Sequence, residues 1–269
     1  MKTKIKKIKL KSIQMRKTIL KTSFKCGAAA HIGGALSIVD ILACLYQDIL
    51  KIKGRNRDIF ILSKGHGFLG LLAALYSKRL ISKKKLLTFQ TNGSEIIAHP
   101  IMDAKIGIES SNGSLGQGLS FSIGLALAKK KKKEKGKIFS LLGDGECYEG
   151  SVWEAAISAT ELNLDNLTAI VDCNGFQNDG KIGSKMHYRD IYDKWRGFGW
   201  NAILCDGHNI FKILKSLKSK KKNVPSVIIA KTIKGKGISF MENNNDWHHG
   251  RLTKKLYLQA FKELKKKNV

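Results

Sequence analysis

Two polar residues, Asp144 and Asn174, carry the clearest chemical signal in this chain. Asp144 is the centre of a Gly-Asp-Gly segment, which is followed by 28 residues and then by Asn174. Each end of this stretch comes after a short apolar run, Ile138–Leu142 or Leu167–Val171. Such runs predict buried parallel strands, and residues 153–162 between them predict a crossover helix.

Both polar ends are therefore expected at the carboxyl edge of a parallel sheet, where α/β proteins bind ligands. A carboxylate and an amide oxygen held there are hard donors that suit Mg²⁺, which usually also takes phosphate oxygens and water. The two glycines let the backbone approach a phosphate closely. A Gly-Asp-Gly segment alone is an ordinary turn, but its spacing and flanking strands favour a metal–diphosphate site.

The elements that must position this site alternate between helices and strands along the chain. Helices are predicted at 4–25, 37–49, 70–76, 119–130, 209–219 and 252–266. Further strands are predicted at 58–62, 200–204 and 226–232, a turn at 31–34, and mostly loop at 88–114. This alternation indicates an α/β fold with a doubly wound, mostly parallel sheet and helices on both faces. We expect one domain over residues 1–269, with a helical segment at its amino end.

The composition limits the classes of function. A hydrophobic content of 43% is typical of globular proteins, and the longest apolar run, Phe68–Tyr76, is too short to span a membrane. Residues 2–17 lack the apolar core of a secretory signal. Five scattered cysteines show no metal-binding spacing. These features predict a cytoplasmic protein with reduced thiols and no membrane partner.

The net charge of +28 raises the possibility of nucleic-acid binding. Of the 49 basic residues, however, 42 are lysine and only seven are arginine. Specific recognition of bases and phosphates favours arginine, whose planar fork donates two parallel hydrogen bonds. We therefore expect no specific nucleic-acid partner, only weak attraction to polyanions.

The stretch GDGECYEGSVWEAAISATELNLDNLTAIVDCNGFQNDG, residues 143–180, resembles the thiamine diphosphate motif of the transketolase family. The blocks SKGHG at 63–67 and GSLGQG at 113–118 resemble further family segments in the same order. The agreement is with the amino-terminal, diphosphate-binding half of a full-length transketolase. Some organisms make that half as a separate subunit, and this chain resembles such a subunit of a split transketolase.

The resemblance implies thiamine diphosphate and Mg²⁺, or another divalent cation such as Ca²⁺ or Mn²⁺, as cofactors. Asp144 and Asn174 would bind the metal through their side chains and Phe176 through its carbonyl. Gly145 would donate its backbone N–H to the diphosphate. The other implied cofactor-binding residues are His66, Gly113, Ser114, Leu115, Glu149 and His248.

Four histidines in matching blocks are implied to act in catalysis, together with Glu149. His66 and His248 would reach the diphosphate or the substrate, whereas His31 and His99 would contact sugar hydroxyls. The tandem with His249 leaves the register of the last histidine open, and His248 is preferred because it follows Trp247. Glu154 also matches a family glutamate, although a solvated helix face explains it equally well. The segment Asp206-Gly207-His208 matches the family too but could be only a turn.

The reaction implied is transfer of a two-carbon ketol unit from a ketose phosphate, xylulose 5-phosphate, to an aldose phosphate such as ribose 5-phosphate or erythrose 4-phosphate. The family also needs a glutamate from a pyrimidine-binding domain, for which residues after 232 leave no room. A separately encoded carboxyl-terminal subunit carrying that domain is therefore expected, in a hetero-oligomer such as a heterotetramer. Deoxyxylulose-phosphate synthase activity and a non-catalytic cofactor-binding role remain the alternatives.

Overall fold

Five parallel strands form the central sheet of this protein. The structure is a computed structural model that describes residues 1–266, so residues 267–269 of the predicted domain lie outside the described residues. The strands are β1 (Ile59–Leu62), β2 (Ile138–Gly143), β3 (Leu167–Cys173), β6 (Asn201–Asp206) and β7 (Ser226–Lys231). Their order across the sheet is β1-β2-β3-β7-β6, and every pair is parallel. Two short strands, β4 (Phe176–Gln177) and β5 (Gly180–Lys181), form a separate antiparallel hairpin.

Helices cover both faces of the sheet, and strands β1, β2, β3 and β7 are buried along nearly their whole length. The helices are α1 (Lys2–Cys26), α2 (Ile32–Ser37), α3 (Val39–Cys44), α4 (Phe68–Ser77), α5 (Lys83–Leu86), α6 (Gln117–Lys131), α7 (Gly150–Glu161), α8 (Tyr188–Gly197), α9 (Ile210–Lys218) and α10 (Lys254–Lys266). In β3, Ile170 packs in the cluster that includes α1 to α4, whereas Ala169 and Val171 pack in the cluster that includes α6 to α8. The doubly wound α/β fold with helices on both faces is thus confirmed.

The register of β2 and β3 brings the predicted site together. Gly143, the last residue of β2, lies opposite Asp172 of β3. The residues that follow these positions, Asp144 and Asn174, therefore emerge side by side at the carboxyl edge of the sheet. The crossover between the strands is α7, as the spacing predicts.

The predicted boundary between a turn at 31–34 and a helix at 37–49 is wrong. The helix starts at Ile32, so Gly33 and Gly34 lie in its first turn, and a single turn of π-helix ends the segment at 45–49. These glycines serve close packing. A Cβ on Gly33 would lie 2.6 Å from the Trp247 carbonyl oxygen, and one on Gly34 would lie 3.3 Å from the His66 ring.

Helix α8 has no counterpart among the predicted elements. Its sequence is mostly polar, and only Ile191 and Trp195, four residues apart, are buried. This spacing is a weak but readable signal of a helix with one apolar face. None of the helices in residues 1–266 is long and apolar enough to cross a lipid bilayer.

Candidate active site

A cleft of about 250 Å³ lies at the carboxyl edge of β2 and β3. Its walls come from the loops after β1, β2 and β3, the segment before α6, and the segment before α10. They consist of Lys64, His66, Leu115, Gly143, Asp144, Gly145, Glu146, Tyr148, Glu149, Asn174, Phe176, Gln177, Asn178, Asp179 and His248. Most residues predicted from the strand ends are thus gathered in one concave site, the usual setting of a small-molecule site.

The Asp144 carboxylate is buried in the cleft, and within residues 1–266 its hydrogen bonds come only from backbone N–H groups. Its Oδ1 accepts the N–H of Gly145 at 2.9 Å, and its Oδ2 accepts the N–H of Gly175 at 2.6 Å. Burial, followed by repulsion from Asp172, raises the pKa of Asp144 to about 7. A divalent cation beside Asp144 would remove this penalty, because an opposite charge favours the ionised form.

Asp172, on the neighbouring strand β3, is fully buried and surrounded by hydrogen-bond donors. Its Oδ2 accepts from Lys64 Nζ at 2.6 Å, from Ser37 Oγ at 2.7 Å and from Asn174 Nδ2 at 2.9 Å. Its Oδ1 accepts from the Thr232 hydroxyl. Burial alone would raise the pKa of Asp172, but Lys64 and the hydroxyl donors lower it below its ordinary value. This carboxylate is already neutralised, so it fixes its neighbours instead of holding a ligand.

Asp172 also sets the orientation of the Asn174 amide. Because Asn174 Nδ2 donates to Asp172, the amide oxygen is the atom directed elsewhere, and it accepts the N–H of Phe176 at 3.1 Å. A carboxylate, an amide oxygen and a main-chain carbonyl form an oxygen donor set of the kind that Mg²⁺, Ca²⁺ and Mn²⁺ prefer. In the part of the chain that the structure describes, no three His, Cys, Asp or Glu side chains converge on a metal position. The fit therefore rests on Asp144, Asn174 and Phe176.

Glu146 is a further buried carboxylate, which the sequence patterns did not single out. It accepts from the Ser63 hydroxyl, from Gly116 N at 2.9 Å and from Gly143 N at 3.0 Å. Burial raises its pKa, and these donors oppose that rise. Glu146 ties together the three glycine-containing loops at the cleft. Gly116 has φ +83°, and a Cβ there would lie 2.3 Å from Ser151 Oγ, so only glycine fits this junction.

Five histidines cluster at one end of the cleft. The His31 ring centroid lies 5.7 Å from that of His66, 5.5 Å from those of His99 and His248, and 4.7 Å from that of His249. Burial first, and then the neighbouring histidines and Lys64, lower the pKa of His31 to about 3. Burial likewise lowers the pKa values of His66 and His99. Neutral imidazoles can donate from one nitrogen and accept at the other, which suits contacts to sugar hydroxyls and carbonyls.

His248 is held by Lys234, a lysine that no sequence motif identified. Lys234 is 1% exposed, and its Nζ lies 2.8 Å from His248 Nδ1 and 2.9 Å from Asn245 Oδ1. Burial, followed by Lys234, lowers the pKa of His248 to about 4, so the ring is neutral near pH 7. Donation from the Lys234 ammonium to Nδ1 places the ring proton on Nε2. Of the tandem pair, His248 and not His249 lines the cleft.

The remaining predicted residues differ in their placement. Leu115 and Glu149 line the cleft, whereas Gly113 and Ser114 are exposed beside it. The N–H of Gly145, predicted to meet a diphosphate, here donates to Asp144. Glu154 lies on the exposed side of α7, away from the cleft walls.

The surface beside the cleft differs from the rest of this lysine-rich protein. Residues 138–180 contain no lysine or arginine. Here Tyr148 is 50% exposed and Ile157 of α7 is 49% exposed, and on the neighbouring helix α6 Phe121 is 43% exposed. We call these three exposed side chains the apolar face. Exposed apolar groups of this kind are typical of a surface that binds another protein.

Comparison with known proteins identifies related sequences and folds. Residues 11–266 match the family described as "Transketolase, thiamine diphosphate binding domain". The chain is 39% identical over 262 residues to the 6-deoxy-6-sulfo-D-fructose transketolase subunit SqwG of Clostridium sp. (strain MSTE9), a match that covers 95% of each chain. It is 37% identical over 269 residues to one of the apulose-4-phosphate transketolase subunits of Phocaeicola vulgatus, covering 97% of this chain and 94% of the relative.

Solved structures show the same architecture. The transketolase of Campylobacter jejuni superposes with a TM-score of 0.82 at 27% sequence identity, over 98% of this chain. This chain spans 43% of the length of that solved chain. The similarity in fold therefore covers nearly all of this protein and less than half of the solved enzyme.

Proposed function

This chain belongs to the transketolase family, and on that premise we propose that it is the cofactor-binding subunit of a two-subunit transketolase. The supporting relatives are named as subunits and match this chain over nearly its full length. The observation that carries the proposal is the cleft at the ends of β2 and β3. There a buried carboxylate without a direct cationic partner among residues 1–266 adjoins an oriented amide oxygen.

Asp144, Asn174 and the Phe176 carbonyl would hold a divalent cation, Mg²⁺ in the first instance, and through it the diphosphate of thiamine diphosphate. When bound, thiamine diphosphate supplies the electron sink for breaking a carbon–carbon bond next to a carbonyl. Lys64 and Lys234 add positive charge at the same end of the cleft. Burial lowers the pKa of Lys234 to about 8, so near pH 7 this lysine is still mostly an ammonium group.

The neutral histidines would orient the sugar. Lys234 occupies Nδ1 of His248, so the ring would act on the substrate through its Nε2 proton; the ring also has a hydrogen bond to the Gln177 backbone. His31 and His99, which lie together beyond His66, would exchange hydrogen bonds with sugar hydroxyls. Glu149, which lines the cleft and precedes α7, would meet a group of the partner protein. These roles are carried over from the family resemblance, and the charge, exposure and hydrogen-bonding capacity of the side chains support them.

For the substrate we propose an anionic ketose as donor and an aldose phosphate as acceptor. The names of the two relatives specify 6-deoxy-6-sulfo-D-fructose and apulose 4-phosphate, so xylulose 5-phosphate is one candidate donor among several. Ribose 5-phosphate and erythrose 4-phosphate are the acceptors to test. A cytoplasmic location remains a prediction from the sequence.

The partner would carry the pyrimidine-binding domain and form a hetero-oligomer with this chain. The apolar face supports this part of the proposal, because its Tyr148 lines the cleft and residues 138–180, which include Tyr148 and Ile157, contain no lysine or arginine. A second protein docked there would cover Tyr148 and enclose the cofactor.

The test is to assay the purified chain, alone and with the candidate partner, with thiamine diphosphate and Mg²⁺. The three donors named above would be offered with an aldose phosphate as acceptor. We expect ketol transfer only when both subunits are present, and none when Asp144→Asn replaces the wild type. Robust turnover by this chain alone would contradict the two-subunit assignment. Cofactor binding by the assembled pair without transfer from any donor would instead indicate a non-catalytic role.

A further inference from the structure

The segment Asp206-Gly207-His208, which begins at the last residue of β6, does more than turn the chain. The His208 ring is fixed at both nitrogens: Nδ1 lies 2.9 Å from Asp40 Oδ2, and Nε2 accepts the N–H of Ile233 at 2.9 Å. Because Nε2 accepts, the ring proton is on Nδ1 and is donated to Asp40. A histidine that makes two such bonds has a single orientation and a single tautomer.

Asp40 joins this histidine to Arg16 of α1. Arg16 donates to both oxygens of Asp40, at 3.0 and 2.7 Å, and its Nε donates to the Lys236 carbonyl at 2.9 Å. Arg16 is 5% exposed and Asp40 is 6% exposed. Burial alone would raise the pKa of Asp40, but Arg16 and His208 hold it well below its ordinary value. We call Arg16, Asp40 and His208 the clamp.

The clamp holds one loop at two points. Its two backbone contacts, to the N–H of Ile233 and to the carbonyl of Lys236, lie on either side of Lys234. Gly237, with φ +105°, continues the close fit, because a Cβ there would lie 2.9 Å from Arg16 Cδ. Between the two contacts lies the lysine whose ammonium meets His248 in the cleft.

Building on the proposed function, we propose that Arg16, Asp40 and His208 are positioning residues for the reaction. They hold the loop at 232–237 so that Lys234 reaches Nδ1 of His248 and keeps the His248 proton on Nε2, available to the substrate. The clamp itself does not line the cleft. Its effect is transmitted through the backbone of the loop on either side of the lysine.

A purely structural role for the clamp predicts a different result from a positioning role. His208→Gln and His208→Asn each retain one of the two ring contacts. Glutamine reaches as far as Nε2 and can still accept from Ile233, whereas asparagine reaches only as far as Nδ1 and can still donate to Asp40. Positioning requires the bond to Ile233, so glutamine should preserve function and asparagine should not. If the clamp has only a structural role, the two variants should instead lose similar amounts of stability and should not differ in function.

The first measurement uses this chain alone and follows the ¹⁵N signals of the His248 ring by NMR. In the wild type and in His208→Gln we expect one tautomer, with Nδ1 accepting. In His208→Asn we expect the two tautomers to mix and the ring to titrate at higher pH, since Lys234 is displaced. The charged and titratable groups that face His248 are Lys64, Lys234, His31, His66 and His249. Unchanged His248 signals in His208→Asn would overturn the proposal.

The second measurement uses the enzyme assembled with its partner. A catalytic group misplaced by about 1 Å can cost on the order of 100-fold in rate, so we expect His208→Asn to lower kcat by at least about tenfold. We expect KM to change by less than about threefold, because substrate contacts remain. His187→Asn, at an exposed histidine outside the clamp, is the matched control and should behave as the wild type.

Two further outcomes are decisive. Equal kcat values in His208→Gln and His208→Asn would reduce the clamp to a stabilising element and contradict the proposal. If His208→Asn does not fold, Arg16→Lys provides the test, since lysine keeps the charge beside Asp40 but cannot reproduce the bond from Arg16 Nε to the Lys236 carbonyl. Absence of ketol transfer in the wild-type assembly would contradict the proposed function, while the His248 signals would still test the clamp.

Discussion

Asp144 and Asp172 are carboxylates at the ends of neighbouring strands, and their surroundings give them opposite properties. Asp172 accepts from Lys64, Ser37 and Asn174 through one oxygen and from Thr232 through the other. Asp144 accepts from two backbone N–H groups only, and its pKa is raised to about 7. The comparison teaches that burial alone does not define a ligand site. Asp144, the carboxylate without a paired cation among the described residues, is the one we propose as the metal ligand, and Asp172, which is paired with Lys64, supports the site.

The strongest test of this comparison removes the satisfied carboxylate. Asp172→Ala leaves the Lys64 ammonium, which is fully buried, without its partner. Breaking a buried ion pair in this way typically costs about 3–5 kcal/mol, so the free energy of unfolding in a urea titration should fall by that amount. Glu95→Gln, at the exposed partner of Lys85, is the control and should give no measurable change. A loss as small as that of the control would show that Asp172 is not a structural residue.

The second test removes the unsatisfied carboxylate. Asp144→Asn should weaken Mg²⁺-dependent binding of thiamine diphosphate by at least about 100-fold, since even second-shell changes at metal sites cost about 10–100-fold. Without metal the same variant should be no less stable than the wild type, because a buried charge has been removed. Calorimetric titration and urea unfolding measure the two effects. Equal cofactor affinity in the variant and the wild type would refute the role of Asp144.

The third test follows metal-free stability with pH. Both proteins should lose stability as the pH falls below about 6.5, because the buried histidines have lowered pKa values and bind protons only after unfolding. Asp144 acts in the opposite direction. Its folded pKa of about 7 lies above the ordinary value of 3.8, so its penalty is largest above pH 7 and decreases on acidification. The advantage of Asp144→Asn over the wild type should therefore shrink by about 2–3 kcal/mol between pH 8 and pH 5.

A pH-independent difference between these two proteins would contradict the raised pKa of Asp144. The comparison is a difference between two curves, so the contribution of the histidines cancels from it.

The smallest effect is expected from removing one donor to Asp172. Thr232→Val keeps the shape of the side chain and deletes its hydroxyl, which bonds to Asp172 Oδ1. Hydrogen bonds to charged groups contribute about 1.5–3 kcal/mol, and we expect the lower end because Lys64 remains. Thr18→Val, on α1, serves as the control. Urea unfolding measures both variants, and a loss equal to that of Asp172→Ala would mean that Thr232 has a separate structural role.

Much of the fold was predictable from the sequence, because its apolar runs are short and end in polar residues. The strands that precede Asp144 and Asn174 were found in this way, and their adjacency is confirmed by the register. The predicted boundary between turn and helix within residues 31–49 is wrong, because the glycines there serve close packing and not a turn. Helix α8 was missed because its apolar face consists of only two buried residues.

The site was less predictable than the fold, for a physical reason. Lys64 is one of 42 lysines, and nothing in its local sequence shows that it is buried against Asp172. The roles of Lys234 and Glu146 depend on their contacts with His248 and Gly116, which are 14 and 30 residues away in the chain. The roles inferred by resemblance for His31, His66, His99 and Glu149 stay predictions. The prediction of xylulose 5-phosphate as the donor is too narrow, since the relatives are named for other sugars.

The cleft and the histidines beside it draw on side chains from His31 to His248, which meet only when the parallel sheet has formed. During synthesis on the ribosome, the segment with His248 emerges long after the strands that precede Asp144 and Asn174. The cleft is therefore complete only once the segment that carries His248 has been made and has packed against the sheet.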